Sequence, residues 1–248
     1  MTRSLAAALA LPAAWAALAA AQTRVPVLVE LFTSEACSSC PPADAVLARL
    51  ERDQPVGGVE VIALGEHVDY WNETGWRDRF SSPLFSTRQQ DYGQALRLAN
   101  IYTPQIIVNG REQVLGSDEN GVRRAIRAAA QDPTAVVGLR MSGWDTASFQ
   151  VRGLPQDVRS AEILLAITES GVESWISGGE NNGRRLRHSA VVRSLTSLGK
   201  LDAKKDGSYS ADARLNLRRE WNRQNLKLVL FVQDRSNRRI LGSAAARL

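Results

Sequence analysis

The two cysteines of this 248-residue chain, Cys37 and Cys40, lie close together in the stretch ELFTSEACSSCPPAD, residues 30–44. Cysteines with this spacing suit a redox-active dithiol–disulfide, two ligands of a metal site, or a small structural disulfide bond. A helix that begins directly after such a CxxC motif would favour the thiolate, because the partial positive charge at a helix N-terminus lowers the pKa of a cysteine. In a redox-active centre of this kind, Cys37 would be the attacking sulfur and Cys40 would resolve the mixed disulfide.

A histidine is the residue that could join the cysteines. His67 and Asp69 follow an apolar stretch that predicts a strand, and ligand sites gather where neighbouring parallel strands end. His67 could then act as a base in thiol exchange. Otherwise it would be a loop residue bonded to Asp69 or to the backbone. Glu35 and Glu66 could tune the thiol pKa, although glutamates at such positions are more typical of solvated surface.

The segments around the cysteines predict the elements that position them. Residues 25–32 form an apolar run typical of a buried strand, and residues 59–64 predict a second strand. Between the two strands, apolar residues recur with helical spacing at Ala43, Val46, Leu47 and Leu50. This order predicts a right-handed βαβ unit with parallel strands. Since a proline restricts the residue before it, the pair Pro41 and Pro42 places the helix start at one of them, just past Cys40.

The next segments predict two more helices and a hairpin. Residues 84–99 favour a helix, and Asp118 favours the N-cap of another. Between them, Thr103 and Pro104 precede an apolar strand, residues 105–108, that opens a hairpin. A βαβ unit, a helix, a proline-led hairpin and a last helix follow one another in thioredoxin-like folds. In those folds the corresponding proline is cis and lies against the CxxC turn, so a cis-proline is predicted here.

Longer motifs carry a resemblance to one family. They are Glu30 to Asp44, His67-Val68-Asp69-Tyr70-Trp71, Gly75-Trp76, Asp78-Arg79-Phe80, Tyr102-Thr103-Pro104-Gln105 and Gly179–Arg193. With them, the chain resembles the exported, thioredoxin-like DUF1223 family of bacteria over nearly all of its length after residue 21. The resemblance implies a thioredoxin-like fold followed by a β-rich domain, and it implies little about the reaction. Ala36 departs from the pattern, since similar sequences have glycine there.

Loop residues near the same edge are candidates for substrate binding. Thr103 and Pro104 would bind the extended chain of a partner, as the corresponding loop does in thioredoxin-like folds. Trp71 and Trp76 would form the floor of a groove beside the cysteines. Aromatic side chains in a loop also serve simply to bury that loop, and the sequence leaves both interpretations open.

The first 21 residues differ from the rest of the chain. One early arginine, an Ala/Leu-rich run and an Ala-x-Ala site predict a cleaved signal peptide over residues 1–21. A membrane anchor is the alternative, but the run is shorter than the roughly 20 apolar residues that span a bilayer. We expect a periplasmic or secreted protein without stable membrane insertion after removal of the leader. Export would place the cysteines where a disulfide bond persists.

Composition divides the remaining chain into two predicted domains. Residues 22–133 carry 11 basic and 15 acidic side chains, whereas residues 134–248 carry 19 and 11. From residue 134 onward, short β-like segments replace helical periodicity, which predicts a β-sandwich-like domain after an α/β thioredoxin-like domain. The basic residues there are scattered, which indicates a solvated face and no nucleic acid partner. His188 lies in this second part and receives no role.

These features favour an exported thiol–disulfide oxidoreductase, with protein thiols or disulfides or a redox partner protein as its partners. Its only expected cofactor is the redox-active disulfide itself. The alternative is a redox-inert binding protein or a copper or zinc metallochaperone that uses Cys37, Cys40 and His67. No fourth ligand is evident, so a metal is not favoured. A third interpretation is an interaction module in which the disulfide is only structural.

Overall fold

The structure, a computed structural model, describes residues 24–132, 134–202 and 207–248, so the predicted signal peptide lies outside the described residues. The first part of the chain contains β1 (Val25–Thr33), α1 (Pro41–Asp53), β2 (Val59–His67), α2 (Pro83–Ala95), β3 (Gln105–Val108), β4 (Glu112–Leu115) and α3 (Glu119–Ala129). The second part contains β5 (Val136–Met141), β6 (Thr146–Arg152), β7 (Ser160–Glu169), β8 (Val172–Trp175), β9 (Arg185–His188), β10 (Val191–Asp202), β11 (Ser208–Arg214), a short 3-10 helix (Arg223–Asn225), β12 (Leu226–Asp234) and β13 (Ile240–Arg247).

Local signals place most of the element boundaries correctly. Helix α1 begins at Pro41 with Cys40 as its N-cap residue, as the double proline predicts. Helix α2 ends before the predicted residue 99, because Arg97 takes a left-handed backbone conformation with φ 54°. Strand β2 continues past residue 64 as far as His67. The expectation that His67 is a loop residue is therefore wrong, since it ends a strand.

One mixed sheet joins the two parts of the chain. Within the described residues its eight strands follow the order β13-β12-β7-β10-β2-β1-β3-β4. Strands β1 and β2 are parallel, and β3 lies antiparallel on the other side of β1. Val191, at the start of β10, pairs in parallel with Gly65 of β2 and so connects the two parts. The predicted division at residue 133 remains a prediction about domains; the backbone hydrogen bonding runs across it.

Two further sheets are antiparallel. Strands β11, β6 and β5 form a three-stranded sheet that shares one apolar core with the β7–β12 region of the large sheet. Phe149 and Val151 from the small sheet pack there with Ile163, Leu165 and Leu228 from the large one. Strands β8 and β9 form a separate two-stranded ribbon. No helix in the described part of the chain is long and apolar enough to cross a membrane.

Alternation along β1 and β2 sends side chains to two different layers. Leu31 of β1 packs with apolar residues of α1 and α3 on one face, whereas Leu28 and Leu64 pack with Phe85 of α2 on the other. Near the carboxyl ends of both strands the alternation continues, but the buried residues become polar. Each face of the two strands therefore carries a buried polar cluster, and one of the clusters lies next to the cysteines.

Candidate functional site

Cys37 and Cys40 form a disulfide bond in the turn between β1 and α1, with their Cα atoms 5.4 Å apart. Both residues are buried, at 1% and 0% exposure, while Ser38 and Ser39 between them are exposed. The carbonyl oxygen of Cys40 accepts the first backbone hydrogen bonds of the helix, from the N–H groups of Ala43 and Asp44. The disulfide therefore lies at a helix N-terminus, where a thiolate formed by its reduction would be stabilised.

The loop that contains the predicted cis-proline contacts the disulfide. The Thr103–Pro104 peptide bond is cis. The Thr103 hydroxyl lies 3.4 Å from the Cys37 sulfur and donates to it, and the same oxygen accepts a 2.8 Å hydrogen bond from the Trp71 indole. Of the predicted substrate-binding residues, Thr103 is thus brought to the sulfur, and Trp71 is held against Thr103.

Trp76, the fourth of these residues, lies on a different side of the turn. Its indole N–H donates to the carboxylate of Glu35 over 2.9 Å. Glu35 is fully buried, so the expectation of a solvated carboxylate is wrong, and its own N–H donates to Asp78. The fold removes this side chain from water because the Trp76 loop and the second part of the chain both cover it.

Beneath the turn lies a group that we call the histidine cluster: His67, His188, Asp44, Asp78 and Glu35. All five residues are buried, with exposures between 0% and 7%. His67 Nδ1 and Asp78 Oδ2 are 2.7 Å apart, and the two imidazole rings meet edge to face with their centroids 4.9 Å apart. The expected bond from His67 to Asp69 does not form in the structure, since Asp69 instead accepts from the Ser86 hydroxyl.

His188 is the least satisfied member of the histidine cluster. Its Nε2 lies 3.3 Å from Glu35 Oε1, and its Nδ1 lies 3.7 Å from Asp44 Oδ2. Neither nitrogen has a hydrogen-bond partner within the described residues. Asp44 is held in place by the Thr33 hydroxyl, which donates to it over 2.9 Å. Carboxylates therefore lie next to both nitrogens of this imidazole.

Burial and charge shift the pKa values in the histidine cluster in different directions. Burial disfavours the charged form of His67, but the neighbouring carboxylates, Asp78 above all, outweigh it and raise its pKa. Burial raises the pKa of Asp44, although His188 and His67 oppose the shift. Burial works against ionisation of Asp78 too, yet its contacts with His67 dominate and lower its pKa. The cluster therefore holds groups of unequal proton affinity next to the disulfide.

A loop from the second part of the chain covers the CxxC turn. We call residues 176–184, between β8 and β9, the covering loop. Asn181 is fully buried, and its amide donates to the carbonyl oxygens of Glu35 and Cys37 over 2.9 Å each. Glu180 accepts a 2.9 Å hydrogen bond from the Ser38 N–H. A Cβ at Gly178 would overlap the Gly75 carbonyl oxygen, so a glycine is needed at this close approach.

Sequence reasoning missed five residues of this site: Asp44, Asp78, Glu180, Asn181 and His188. Each lies within a motif that carries the family resemblance, and that was the available signal. Their roles could not be found from spacing alone, because the last three lie far along the chain and reach the CxxC turn through tertiary contacts.

On the other face of β1 and β2 lies a second buried group, the arginine cluster: Glu30, Glu66, Arg88, Tyr92 and Gln233. Arg88 pairs with Glu30 and donates to the Gln233 side chain and the Tyr92 hydroxyl over 3.0 and 2.9 Å. Glu66 is also fully buried, contrary to the expectation of a solvated side chain, at 3.4 Å from Arg88. Burial and the adjacent Glu30 raise its pKa well above the usual value.

No group of three or more histidine, cysteine, aspartate or glutamate side chains arranged to hold a metal ion occurs within residues 24–132, 134–202 and 207–248. The Nδ1 atom of His67 is engaged in its hydrogen bond with Asp78.

Fold and site together define a mixed α/β protein in which a large mixed sheet and smaller antiparallel sheets surround a buried CxxC disulfide. A family model described as "Protein of unknown function (DUF1223)" matches residues 28–233, and the chain belongs to this family.

The chain is also similar to solved structures. The crystal structure of protein AGR_C_4864 from Agrobacterium tumefaciens is 26% identical, with a TM-score of 0.73 over 91% of this chain and 95% of that chain. A domain of the outer membrane lipoprotein Omp28 from Porphyromonas gingivalis is 10% identical, with a TM-score of 0.27 over 46% of this chain and 86% of that chain. That second likeness is too weak to carry an argument. None of the curated proteins matches the chain.

Proposed function

We propose that this chain is an exported thiol–disulfide oxidoreductase that acts through Cys37 and Cys40. The observation that carries the proposal is the position of the disulfide. It lies at the N-terminus of a helix, against the loop of Thr103 and the cis-proline, and above a buried cluster of histidines and carboxylates. A disulfide that served only to hold the turn would need neither the titratable groups nor the hydroxyl aimed at its sulfur.

We also propose that the first part of the chain has a thioredoxin-like arrangement. Strands β2, β1, β3 and β4 are neighbours in that order, with β1 and β2 parallel and β3 antiparallel. Apolar residues of α1 and α3 pack on one face of these strands, and Phe85 of α2 packs on the other. Such an order supports a thioredoxin-like unit whose sheet is extended by the second part of the chain.

The proposed reaction exchanges one disulfide for another. In the oxidising direction, a partner thiolate attacks the Cys37 sulfur, the Cys37–Cys40 bond breaks, and Cys40 leaves as a thiolate that takes up a proton. A second partner thiolate then attacks the partner sulfur of the mixed disulfide and releases Cys37 as a thiolate. The partner loses two electrons and the CxxC pair gains them, and the reverse steps reduce a partner disulfide.

The histidine cluster would supply and accept the proton that accompanies these steps. Asp44 lies one helical turn after Cys40, and its N–H bonds to the carbonyl of that residue. Its raised pKa and the open hydrogen-bonding capacity of His188 suit groups that pass a proton to and from a buried thiolate. Since Cys40 has no exposed surface, water is a poor alternative source.

Access to Cys37 requires a movement, because this residue is only 1% exposed. The covering loop bonds directly to its backbone through Asn181, and Glu180 bonds to the adjacent Ser38. A partner chain that docks along Thr103 and Pro104 would have to displace this loop, or reach the sulfur beside it. The reaction is therefore expected to be selective for extended protein substrates over small thiols.

The test combines a redox titration with trapping of the mixed disulfide. The Cys40→Ser variant should accumulate adducts through Cys37 with thiol-reactive protein disulfides, while the Cys37→Ser variant, whose remaining thiol is the more buried one, should form far fewer. In parallel, the wild-type protein should pass reversibly between disulfide and dithiol in glutathione buffers while staying folded. A disulfide that reduces only on unfolding would contradict the proposal and indicate a structural bond. Stoichiometric copper or zinc on purification, lost in His67→Ala, would instead indicate a metallochaperone.

A further inference from the structure

Two adjoining cavities, each of about 320 Å³, lie on strand β10 away from the disulfide. One faces the segment that follows Asp78, and the other faces β7 and residues 214–221. They share Arg193, Ser194, Arg218 and Trp221 as lining residues. Neither cavity is lined by the cysteines or by any member of the histidine cluster. They thus form a separate feature of the molecule, which the proposed thiol chemistry does not use.

The side chains that line the cavities carry a strong excess of positive charge. Arg79, Arg193, Arg214 and Arg218 all contribute to the walls. No aspartate or glutamate lines either cavity in the part of the chain that the structure describes. An arginine-lined concave surface of this kind raises the local potential and favours negatively charged ligands.

Arg193 is the best-ordered of these cations. Its guanidinium lies between two aromatic rings, 5.1 Å from the Phe80 centroid and 5.5 Å from the Trp221 centroid. Its acidic neighbour, Glu169, is 3.4 Å away and uses its other carboxylate oxygen to accept from the Asn222 N–H. The guanidinium is therefore held in place but only partly neutralised.

Among the neighbouring cations, Arg79 and Arg218 leave similar capacity open, whereas Arg214 pairs with Asp145 at 3.3 Å. Arg79 lies over the Phe80 ring and donates to the backbone carbonyl of Glu173. Arg218 approaches Glu220 only to 3.8 Å, with both side chains largely exposed, so this pair neutralises little. Burial lowers the pKa of Arg193; the charges of Glu169 and Glu220 oppose this shift, and those of Arg79 and Arg218 add to it. A bound anion would relieve this repulsion.

Trp221 adds a buried polar group to the same wall. The residue is 7% exposed, and its indole N–H has no acceptor within the described residues. Buried donors are nearly always satisfied, so an unmatched donor beside a cavity calls for a partner outside the chain.

We propose that these cavities bind a small organic molecule through an oxyanion group, a carboxylate or a phosphate, held between Arg193 and Arg218. The planar fork of an arginine matches both oxyanions with paired hydrogen bonds. The rings of Phe80 and Trp221 would pack against the uncharged part of the molecule. A cavity of about 320 Å³ lies at the small end of the range for ligand sites, so the ligand is a metabolite-sized anion and not a polymer.

The test is calorimetric titration of the whole oxidised protein with inorganic phosphate and, separately, with citrate, at an ionic strength kept constant with sodium chloride. The variants are Arg218→Gln and its matched control Arg124→Gln on α3. Both arginines have side chains that are 67% exposed, so neither change should disturb folding, and thermal melts would check this. Arg193→Gln is a third variant, which removes the ordered cation.

Saturable binding of either probe, weakened about tenfold or more by Arg218→Gln and by Arg193→Gln, is the expected result, since charge-assisted hydrogen bonds are lost. Binding in the control should match the wild-type protein. Preference for phosphate would indicate a phosphate-bearing ligand, and preference for citrate a carboxylate-bearing one. Absence of binding by both probes, or equal weakening in Arg124→Gln, would overturn the proposal.

Discussion

The histidine cluster and the arginine cluster occupy opposite faces of the same two strands. Each buries several ionisable groups, and each joins the first part of the chain to the second. His188 enters the histidine cluster from the end of β9, and Gln233 enters the arginine cluster from β12. The clusters differ in what holds their members together.

In the arginine cluster a permanently charged guanidinium organises the other groups. Arg88 and Tyr92 both bond to Glu30, and the Gln233 amide donates to Tyr92 over 2.9 Å. In the histidine cluster the charge of His67 depends on pH, and neither imidazole nitrogen of His188 has a hydrogen-bond partner within the described residues. The first arrangement suits a fixed structural role. The second suits groups whose protonation changes while the fold stays the same.

Loss of the central arginine should be the most damaging single change. Arg88→Met would leave Glu30 buried without its counter-charge, and we expect a loss of about 3–5 kcal/mol in the free energy of unfolding. Denaturant unfolding of the oxidised protein would measure it. Arg49→Met is the control, since Arg49 forms a partly exposed pair with Glu119 and should cost less than about 1 kcal/mol. Equal losses in both variants would contradict a structural role for the arginine cluster.

The next largest effect is expected from a change in the covering loop. It should be confined to the face of the strands that carries the histidine cluster. Asn181→Ala removes two hydrogen bonds to the CxxC turn, so opening the loop should become easier by about 1–3 kcal/mol, which is about a 5- to 150-fold rise in rate. The measurement is the rate at which dithiothreitol reduces the disulfide under native conditions. Asn182→Ala changes the exposed neighbouring residue and should leave the rate unchanged. If both variants react as the wild type does, the loop does not limit access.

How much of this site the sequence can predict depends on how local the signal is. The CxxC motif, the helix start at Pro41 and the strand before it follow from neighbouring residues, and the structure confirms them. The burial of Glu35 could not be predicted, because it depends on Asn181 and Trp76, which arrive from distant segments. A charged residue after a strand is ordinarily solvated, and only the tertiary contact makes it otherwise.

The same limit explains the partner of His67. Asp69, two residues after His67, is the local candidate for this partner. The strand ends at His67, however, and the chain turns into a loop before Asp69, so the two side chains diverge. Asp78 reaches the imidazole because the loop folds back, and its second oxygen caps the Phe80 N–H. Pairings that require a loop to close are set by the whole fold and leave no short-range pattern.

The dependence of stability on pH should separate the two clusters. A group whose pKa is raised on folding stabilises the protein below its unfolded pKa and loses that contribution as the pH rises through its folded pKa. For Glu66 the loss begins near 4.5, and for His67 near 6.5. Each group adds a slope of up to about 1.4 kcal/mol per pH unit within its window.

Two variants would assign these slopes. Glu66→Gln should be more stable than the wild type above about pH 4.5, with the gain growing as the pH rises, because the amide needs no proton when buried. His67→Gln should differ from the wild type in slope only above about pH 6.5. Urea unfolding of the oxidised proteins from pH 5 to 9 would measure both, and the contribution of Asp44 is common to them. A slope above pH 6.5 that is as steep in His67→Gln as in the wild type would show that this histidine does not titrate with folding.

The smallest expected effect concerns charge alone at the mouth of the site. Glu180 is exposed, and its hydrogen bonding with Ser38, through the side chain first and then the N–H, lowers its pKa, so it carries a negative charge beside the disulfide at neutral pH. Glu180→Gln keeps an oxygen that can accept from Ser38 but removes the charge. Both reductants attack as thiolates, but the glutathione thiolate carries the larger negative charge. Reduction by glutathione should therefore speed up by about two- to threefold at low salt, and reduction by dithiothreitol should speed up less. Because the Debye length shortens to about 3 Å in 1 M salt, the difference between the two reductants should vanish there. If Glu180→Gln instead accelerated both reductants equally, the carboxylate would act as a contact that holds the covering loop. Glu180 would then limit access to the disulfide in the same way as Asn181.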